Sequence, residues 1–321
     1  EAGPEALARA LDLDPGLFPA ATAAGELFRL RVPLSFVRRM RPGDPADPLL
    51  RQVMPTAAEL ADLPGFGPDP LVEREAFKAP GLLQKYRGRA LLITTGACAV
   101  HCRYCFRREF PYSEQVGSGA VQQALDTIAA DPGIEEVIFS GGDPLSLSDA
   151  RLRALTDRLA QIPHIRRLRL HTRLPVVLPS RVDAGLLHWL RTLPWPVAVV
   201  LHVNHANEID ASLRAACAQL RAAGVTLLNQ AVLLRAVNDS VAALSQLSQR
   251  LFDAGVLPYY LHLLDRVRGA AHFEVAEPTA RQLVGELAST LSGYLVPRLV
   301  REVPGAPAKL PLSPQFPAWK M

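Results

Sequence analysis

The chain has 321 residues, of which 49% are hydrophobic and 21% charged, and its formal net charge is +4. This apolar content is enough to bury a large core, so the composition excludes an intrinsically disordered chain. The basic residues are scattered and nearly balanced by acidic ones, which argues against nucleic-acid binding. We find neither a signal-peptide pattern nor an apolar run of roughly 20 residues that could span a membrane, and therefore expect a cytoplasmic protein.

Residues 1–85 are rich in Ala, Leu and Pro and contain short helical patterns but no motif, so we interpret them as a helical N-terminal region. Beyond them, short apolar runs alternate with amphipathic stretches. The predicted strands are 90–95, 136–140, 165–172, 196–203, 225–234 and 257–264. The predicted helices are 119–130, 148–161, 182–191, 210–222, 241–254 and 278–293.

Six strand–helix units in strict alternation predict a parallel sheet with right-handed crossovers. Because six units are too few for a closed eight-stranded barrel, we predict an α/β partial barrel for residues 86–295. In such folds the chemistry gathers at the carboxyl ends of the strands. Residues 296–321 are rich in proline and are predicted to form a C-terminal tail that lies across the core.

Three of the four cysteines follow the first predicted strand with the spacing C-x3-C-x2-C: Cys98, Cys102 and Cys105. Clustered thiols in a reducing compartment indicate a metal site rather than disulfides. Three thiolates fill three positions of a cubic [4Fe–4S] cluster and leave one iron without a protein ligand. A zinc site usually needs four ligands, and we interpret the adjacent His101 as a bystander. The fourth cysteine, Cys217, lies in a helical pattern and is predicted to be a core residue.

Lysine is rare in this arginine-rich chain. Only four of the 35 basic residues are lysines, namely Lys78, Lys85, Lys309 and Lys320. Lysine can lose its proton and act as a nucleophile, whereas arginine cannot. Each lysine is therefore a candidate for chemistry that arginine could not perform.

The cysteine spacing after the first strand of a βα barrel resembles the radical S-adenosylmethionine (SAM) superfamily. In that superfamily SAM chelates the open iron, and one electron from the cluster cleaves it to methionine and a 5′-deoxyadenosyl radical. The resemblance therefore implies a one-electron donor such as flavodoxin or ferredoxin. A second mark of the superfamily follows the second predicted strand, where glycines let the backbone approach a ligand closely. The resemblance assigns to the SAM amino group the residues Ser140, Gly141, Gly142 and Asp143.

The resemblance narrows to the lysine 2,3-aminomutase family, which also uses pyridoxal 5′-phosphate (PLP), and covers residues 80–312. The matching stretches include YRGRALLITTGACAVHCRYCFRREF, FSGGDPL, HTRLPVVLPSRV, LHVNHANE, PYYLHLLDRVRGAAHF and VPGAPAKLPL. By this resemblance Lys309 anchors PLP, a role that requires an unprotonated amine. Arg89 matches the arginine that binds the PLP phosphate. His202 and Gln230, at the ends of the fourth and fifth predicted strands, match SAM contacts.

The resemblance also implies a substrate site. Arg107 matches the arginine that pairs with the substrate carboxylate. Asp265 and Glu302 match the two acids that face the distal ammonium of lysine, which needs anionic partners when it leaves water. Two such acids favour lysine over glutamate. The larger lysine aminomutases have Asp at the position of Glu302, whereas the shorter form, which acts for translation elongation factor P, has Glu.

The resemblance thus implies an isomerase that converts L-lysine to (R)-β-lysine for the modification of elongation factor P. The residues after Lys309 contain no cysteine, so the zinc-binding segment that pairs subunits of the larger enzymes is not expected, and a homodimer would use other surfaces. Two alternatives stay open: an aminomutase that acts on glutamate or another amino acid, and a non-catalytic iron–sulfur redox protein. A nucleic-acid-modifying enzyme is disfavoured because no basic or aromatic binding face is evident.

Overall fold

A computed structural model describes residues 3–316 and contains one sheet of ten strands. The strands are β1 (Phe77–Ala79), β2 (Leu82–Tyr86), β3 (Arg89–Thr95), β4 (Glu136–Gly141), β5 (Arg167–Thr172), β6 (Val197–Leu201), β7 (Thr226–Val232), β8 (Leu257–His262), β9 (Arg298–Arg301) and β10 (Leu310–Pro311). They lie side by side in chain order. Strands β3 to β9 are parallel, whereas β1, β2 and β10 pair antiparallel with their neighbours.

Twelve α-helices lie within the described residues. They are α1 (Pro4–Ala10), α2 (Ala21–Leu27), α3 (Leu34–Val37), α4 (Pro48–Arg51), α5 (Tyr112–Gln115), α6 (Ser118–Ala130), α7 (Asp149–Leu159), α8 (Leu174–Val177), α9 (Ala184–Thr192), α10 (Ala211–Ala222), α11 (Val241–Asp253) and α12 (Glu277–Thr290). The long helices α6, α7, α9, α10, α11 and α12 connect successive parallel strands. Within residues 3–316, no helix is long and apolar enough to cross a bilayer.

The predicted α/β alternation is confirmed, with each predicted strand and long helix present within a few residues. The structure adds strands at both ends of the barrel. Strands β1 and β2 lie in the region predicted to be helical, and β9 and β10 lie in the predicted tail. Strand β9 extends the parallel sheet because its central residues Leu299 and Val300 are buried. Residues 1–2 and 317–321 of the predicted terminal regions lie outside the described residues.

Local sequence signals fix the starts of the barrel helices. The residues before α7, α9, α10 and α11 each accept a hydrogen bond from a backbone N–H in the first turn. These N-caps are Ser148, Asp183, Asp210 and Ser240. Such a cap contributes about 1 kcal/mol to helix stability because it satisfies an otherwise unpaired donor.

The core lies between the sheet and these helices. Phe139 of β4 and Trp189 of α9 are both completely buried. The indole N–H of Trp189 donates to Thr156 Oγ1 at 3.1 Å, so this large side chain leaves no unpaired donor in the core. Cys217 is buried in α10, as predicted.

The N-terminal region packs against the loop that follows β3. Arg31 accepts from the backbone N–H of His101 at 2.9 Å, and its guanidinium donates to the carbonyl of Cys98 at 2.9 Å. The ring of His101 stacks on Phe28 and its Nδ1 lies 2.7 Å from the carbonyl of Arg29. These contacts bring residues 28–31 to the carboxyl ends of the strands, where the chemistry is expected.

Candidate active site

One cavity of about 660 Å³ runs through the interior of the barrel. Its walls come from the inward-facing residues of the strands and from the loops at their carboxyl ends. Every site residue predicted from the sequence lines it, namely Arg89, Cys98, Cys102, Cys105, Arg107, Ser140, Gly141, Gly142, Asp143, His202, Gln230, Asp265, Glu302 and Lys309. Residues from positions 89 to 309 therefore converge on a single space.

The three clustered cysteines lie on the loop after β3 and are partly buried. Burial raises the pKa of the Cys98 thiol and raises that of Cys105 to about 11. Cys98 Sγ donates to the carbonyl of Val100 at 3.0 Å. Cys102 Sγ accepts from Arg173 Nη1 at 2.7 Å. Thiols in such surroundings ionise when a bound cation compensates the charge.

The donor set fits an iron–sulfur cluster. Across residues 3–316, no group of three or more His, Cys, Asp or Glu side chains is arranged around a single metal ion. In a cubic cluster each cysteine binds a different iron, so its ligands stand further apart than the ligands of one ion. The guanidinium of Arg173 beside Cys102 adds a hydrogen-bond donor to sulfur, which is one of the contacts that tune a cluster's potential.

A fully buried arginine anchors the cysteine loop. Arg103, between Cys102 and Tyr104, donates to both carboxylate oxygens of Glu59 at 2.8 and 2.5 Å. It also donates to the carbonyls of Phe28 and Ala24. The loop is thus tied to the N-terminal region, a connection that no sequence motif indicates.

The two glycines after β4 allow this strand end to approach the cysteine loop. Gly141 has a φ of +126°, and a Cβ there would lie 2.3 Å from the carbonyl oxygen of Thr95. A Cβ on Gly142 would lie 2.3 Å from the carbonyl oxygen of Ala97. Such distances are sterically forbidden, so only glycine fits both positions. The backbone of Gly142 donates to Thr95, which holds the strand end against the loop.

Asp143 joins the ends of β4 and β5. Its carboxylate accepts from Thr172 Oγ1 and from the backbone N–H groups of Arg173, Leu174 and Leu145, at 2.7 to 3.0 Å. Burial raises the pKa of Asp143 to about 6, although these hydrogen bonds oppose the shift. The side chain therefore shapes the cavity wall as well as lining it.

A chain of alternating charges crosses another wall of the cavity. Arg107 donates through Nε and Nη2 to the two oxygens of Glu73, at 2.7 and 2.8 Å. Lys85 Nζ lies 2.9 Å from both Glu73 Oε1 and Glu302 Oε1. Glu302 Oε2 in turn accepts from Lys309 Nζ. The structure thus joins three predicted residues through Glu73 and Lys85, to which the sequence had assigned no site role.

These ion pairs outweigh the effect of burial. Burial alone would raise the pKa of Glu302, but Lys309 and Lys85 lower it to about 2. Asp265 makes no ion pair with a described residue, and burial together with the neighbouring Glu302 raises its pKa to about 7. The two acids predicted to face one ammonium therefore differ in protonation near neutral pH.

Three histidines on neighbouring strands face the same cavity. Burial lowers the pKa of His202 and of His262 to about 3, and lowers that of His171 as well, so all three are neutral at pH 7. His202 Nε2 lies 2.9 Å from Gln230 Nε2. The Nε2 atoms of His171 and His262 are buried and have no hydrogen-bond partner among the described residues. The family resemblance implies no role for either of these histidines.

Arginines line the cavity near the amino ends of the strands. The guanidinium of Arg89 lies 4.6 Å from the ring centre of Tyr86 and makes no salt bridge with a described residue. Arg169 pairs with Glu136 beside it. The donors of Arg89 are therefore available to an anionic group.

Comparison with known proteins agrees with this geometry. The profile of the Radical SAM superfamily matches residues 92–240. The L-lysine 2,3-aminomutase of Escherichia coli is 52% identical over 315 residues, which cover 98% of this chain and 92% of that protein. The enzyme of the same name from Haemophilus influenzae is 50% identical over 95% of this chain and 91% of its own length. That of Clostridium subterminale is 36% identical over 90% of this chain and 70% of its own length.

Among solved structures, a radical SAM methyltransferase from Sphaerobacter thermophilus is 19% identical, with a TM-score of 0.47 over 68% of each chain. The sequence relatives are far closer and extend over nearly the whole chain. The chain therefore belongs to the radical SAM lysine 2,3-aminomutase family, a family of isomerases that use a [4Fe–4S] cluster, SAM and PLP.

Proposed function

We propose that this protein is an L-lysine 2,3-aminomutase that converts L-lysine to (R)-β-lysine and carries PLP on Lys309. One observation carries the proposal: a single cavity is lined by the three clustered cysteines, by Lys309 and by Arg107. A lone iron–sulfur carrier has no need of a partly buried lysine and a charged wall in the same cavity. This arrangement supports a catalytic reading over a redox carrier.

In this proposal, different residues bind the cluster, SAM and PLP. In the proposed enzyme the cysteine loop holds the cluster, while Ser140 to Asp143, His202 and Gln230 contact SAM. Arg89 binds the PLP phosphate. When bound, the cluster and SAM supply the hydrogen-abstracting radical, and PLP supplies the carbonyl that carries the migrating amino group. The protein supplies placement, charge and exclusion of water.

Lys309 must become a neutral amine before its Nζ can react with a carbonyl carbon. In the free protein Glu302 pairs with its ammonium form. Glu302 therefore has to release this partner when the cofactor binds, and it becomes available to the ammonium of a substrate. Lys85 stays bonded to the other oxygen of Glu302 and limits the cost of leaving that carboxylate buried.

The charges on this wall support lysine as the substrate. Once the anchor lysine is neutral, two cations, Arg107 and Lys85, face three acids, Glu73, Glu302 and Asp265. The distal ammonium of lysine offsets the carboxylate that the same molecule brings, so bound lysine does not increase the excess of acids. A substrate such as glutamate would add another carboxylate and increase the imbalance.

The test is anaerobic reconstitution with iron, sulfide and PLP, followed by incubation with SAM, a reductant and an amino acid. We expect β-lysine from lysine and no β-glutamate from glutamate. Conversion of glutamate but not lysine would overturn the substrate assignment. A reconstituted protein that binds a cluster but no PLP would favour the redox carrier.

Two variants separate the roles of the cofactors. Lys309→Ala is expected to lose turnover and the absorption of bound PLP but to keep the visible spectrum of the cluster. Cys102→Ala is expected to lose the cluster spectrum, because one of three thiolate ligands is removed. Normal turnover by Lys309→Ala would contradict its role as anchor.

We further propose that the product serves the modification of elongation factor P, with a one-electron donor such as flavodoxin or ferredoxin as a second partner. Glu302 supports this, because the resemblance to the short form of the family rests on glutamate at that position. In a bacterium that lacks its own lysine aminomutase, expression of this chain should restore the β-lysyl mass increment on elongation factor P. An unchanged mass, with active enzyme in the same cells, would contradict the link.

A further inference from the structure

Glu73 and Lys85 occupy a central place that the family resemblance does not assign. Glu73 begins the 3-10 turn Glu73–Ala76 and is 2% exposed, and Lys85 lies in β2 with a side chain that is 20% exposed. Together they connect Arg107 at one end of the wall to Glu302 at the other. Neither is needed to hold the cluster, so their arrangement calls for another explanation.

At the Arg107 end, Glu73 occupies one edge of the guanidinium. Its two oxygens accept from Nε and Nη2, while Nη1 lies 3.3 Å from Ser140 Oγ. A guanidinium has a second edge, formed by Nη1 and Nη2, that can also bind a carboxylate. Glu73 therefore orients Arg107 with its second edge towards Ser140 and the cavity.

At the Glu302 end, the two carboxylate oxygens have different partners. Oε1 lies 2.9 Å from Lys85 Nζ, and Oε2 accepts from Lys309 Nζ. When Lys309 leaves, Oε2 is released while Oε1 stays bonded to Lys85. Lys85 thus fixes which oxygen of Glu302 faces an incoming ammonium.

A carboxylate that bound Arg107 would also lie near the negative charge of Glu73. Lys85, 2.9 Å from Glu73 Oε1, offsets this repulsion. The same ammonium therefore serves both ends of the wall. A change at Lys85 is expected to disturb both the carboxylate site and the ammonium site.

We propose that Glu73 and Lys85 are positioning residues that fix the spacing between the carboxylate site at Arg107 and the ammonium site at Glu302, and so select an amino acid of the length of lysine. The inference rests on the function proposed above. Glu73 and Lys85 act through their neighbours and do not contact the substrate themselves. They are therefore distinct from the residues that bind its charged groups.

The test measures binding without turnover. Protein loaded with PLP, in the absence of SAM and reductant, is titrated with lysine and with ornithine, which is one methylene shorter, and the absorbance change of PLP gives each dissociation constant. For Lys85→Met we expect lysine binding to weaken at least about tenfold, because a buried charge pair is broken. Ornithine binding should weaken less, so the preference for lysine shrinks.

Two further variants test the same inference independently of folding. Glu73→Gln keeps the side-chain volume and should also reduce the lysine preference, since it releases Arg107. Lys85→Arg keeps the charge and should retain more of the preference than Lys85→Met. Lys78→Met, which changes an exposed lysine in β1, is the matched control and should bind both ligands as the wild type does.

The outcomes separate the two proposals. Wild-type protein that takes up PLP but shows no response to lysine overturns the proposed function and this inference with it. Wild-type protein that prefers lysine, with the same preference kept in both Glu73→Gln and Lys85→Met, overturns the positioning role alone. A uniform loss of affinity for both ligands also overturns it, because a purely structural role would not change the preference.

Discussion

The arginine that anchors the cysteine loop offers a quantitative test of the fold around the site. Arg103→Met keeps an unbranched apolar stem but removes the donors that Arg103 itself offers to Glu59 and to the carbonyls of Phe28 and Ala24. Glu59 then keeps Arg108, at 2.9 Å, as its ionic partner. Removing one partner of a buried ion pair costs about 3–5 kcal/mol. Because Glu59 keeps its pair with Arg108, we expect the free energy of unfolding to fall by an amount at the lower end of this range, about 3 kcal/mol. For a chain of 321 residues, whose unfolding entropy is about 0.7 kcal/mol per K, that corresponds to a fall in Tm of about 4–5 °C.

Thermal unfolding of the protein, followed by circular dichroism, measures this loss directly. The matched control is Arg167→Met, which removes an ion pair between half-exposed side chains, Arg167 and Glu135 at 3.2 Å. That change should cost less than about 1 kcal/mol. Because Arg103 adjoins Cys102, the iron bound per chain after reconstitution should also fall. A Tm for Arg103→Met that matches Arg167→Met would refute the reasoning.

Two further predictions concern charge and sterics. The pKa of Asp265 is raised to about 7, so this acid becomes neutral as the pH falls below that value. Lysine binding to the PLP-loaded protein should therefore weaken up to about tenfold per pH unit below pH 7. If the affinity of Asp265→Asn for lysine fell with the same dependence on pH, this explanation would be contradicted. Gly142→Ala places a Cβ 2.3 Å from the carbonyl oxygen of Ala97 and should lower both Tm and bound iron, whereas Gly119→Ala, with open space around it, should not. Equal iron content in the two variants would show that the end of β4 can shift to accommodate the Cβ without disturbing the cysteine loop.

Much of the barrel could be predicted because its signals are local. Apolar runs and amphipathic periods give the strands and helices, and caps such as Ser240 fix where the helices begin. Strand β9 was missed for a local reason as well, because its short run is followed by proline and glycine, which indicate a tail. Only pairing with β8, through Leu261 and Leu299, makes it part of the sheet.

The charged wall could not be predicted in the same way. Lys85 and Glu302 are 217 positions apart, and Glu73 and Arg107 are 34 apart, so no local pattern links them. The one available signal was that Lys85 is a lysine in a chain that otherwise prefers arginine. Arg173 gave no such signal, although it lies in a stretch typical of the family and donates to Cys102.

The order of the strands has a consequence for how the enzyme is made. Because each strand pairs with the one synthesised before it, the sheet can grow by addition at one edge as the chain leaves the ribosome. The cysteine loop is enclosed early, once β4 has paired with β3. Glu302 and Lys309 arrive with the last two strands. In the function proposed above, the aldehyde of PLP would therefore meet Lys309 only after the half of the barrel that carries the clustered cysteines has been assembled.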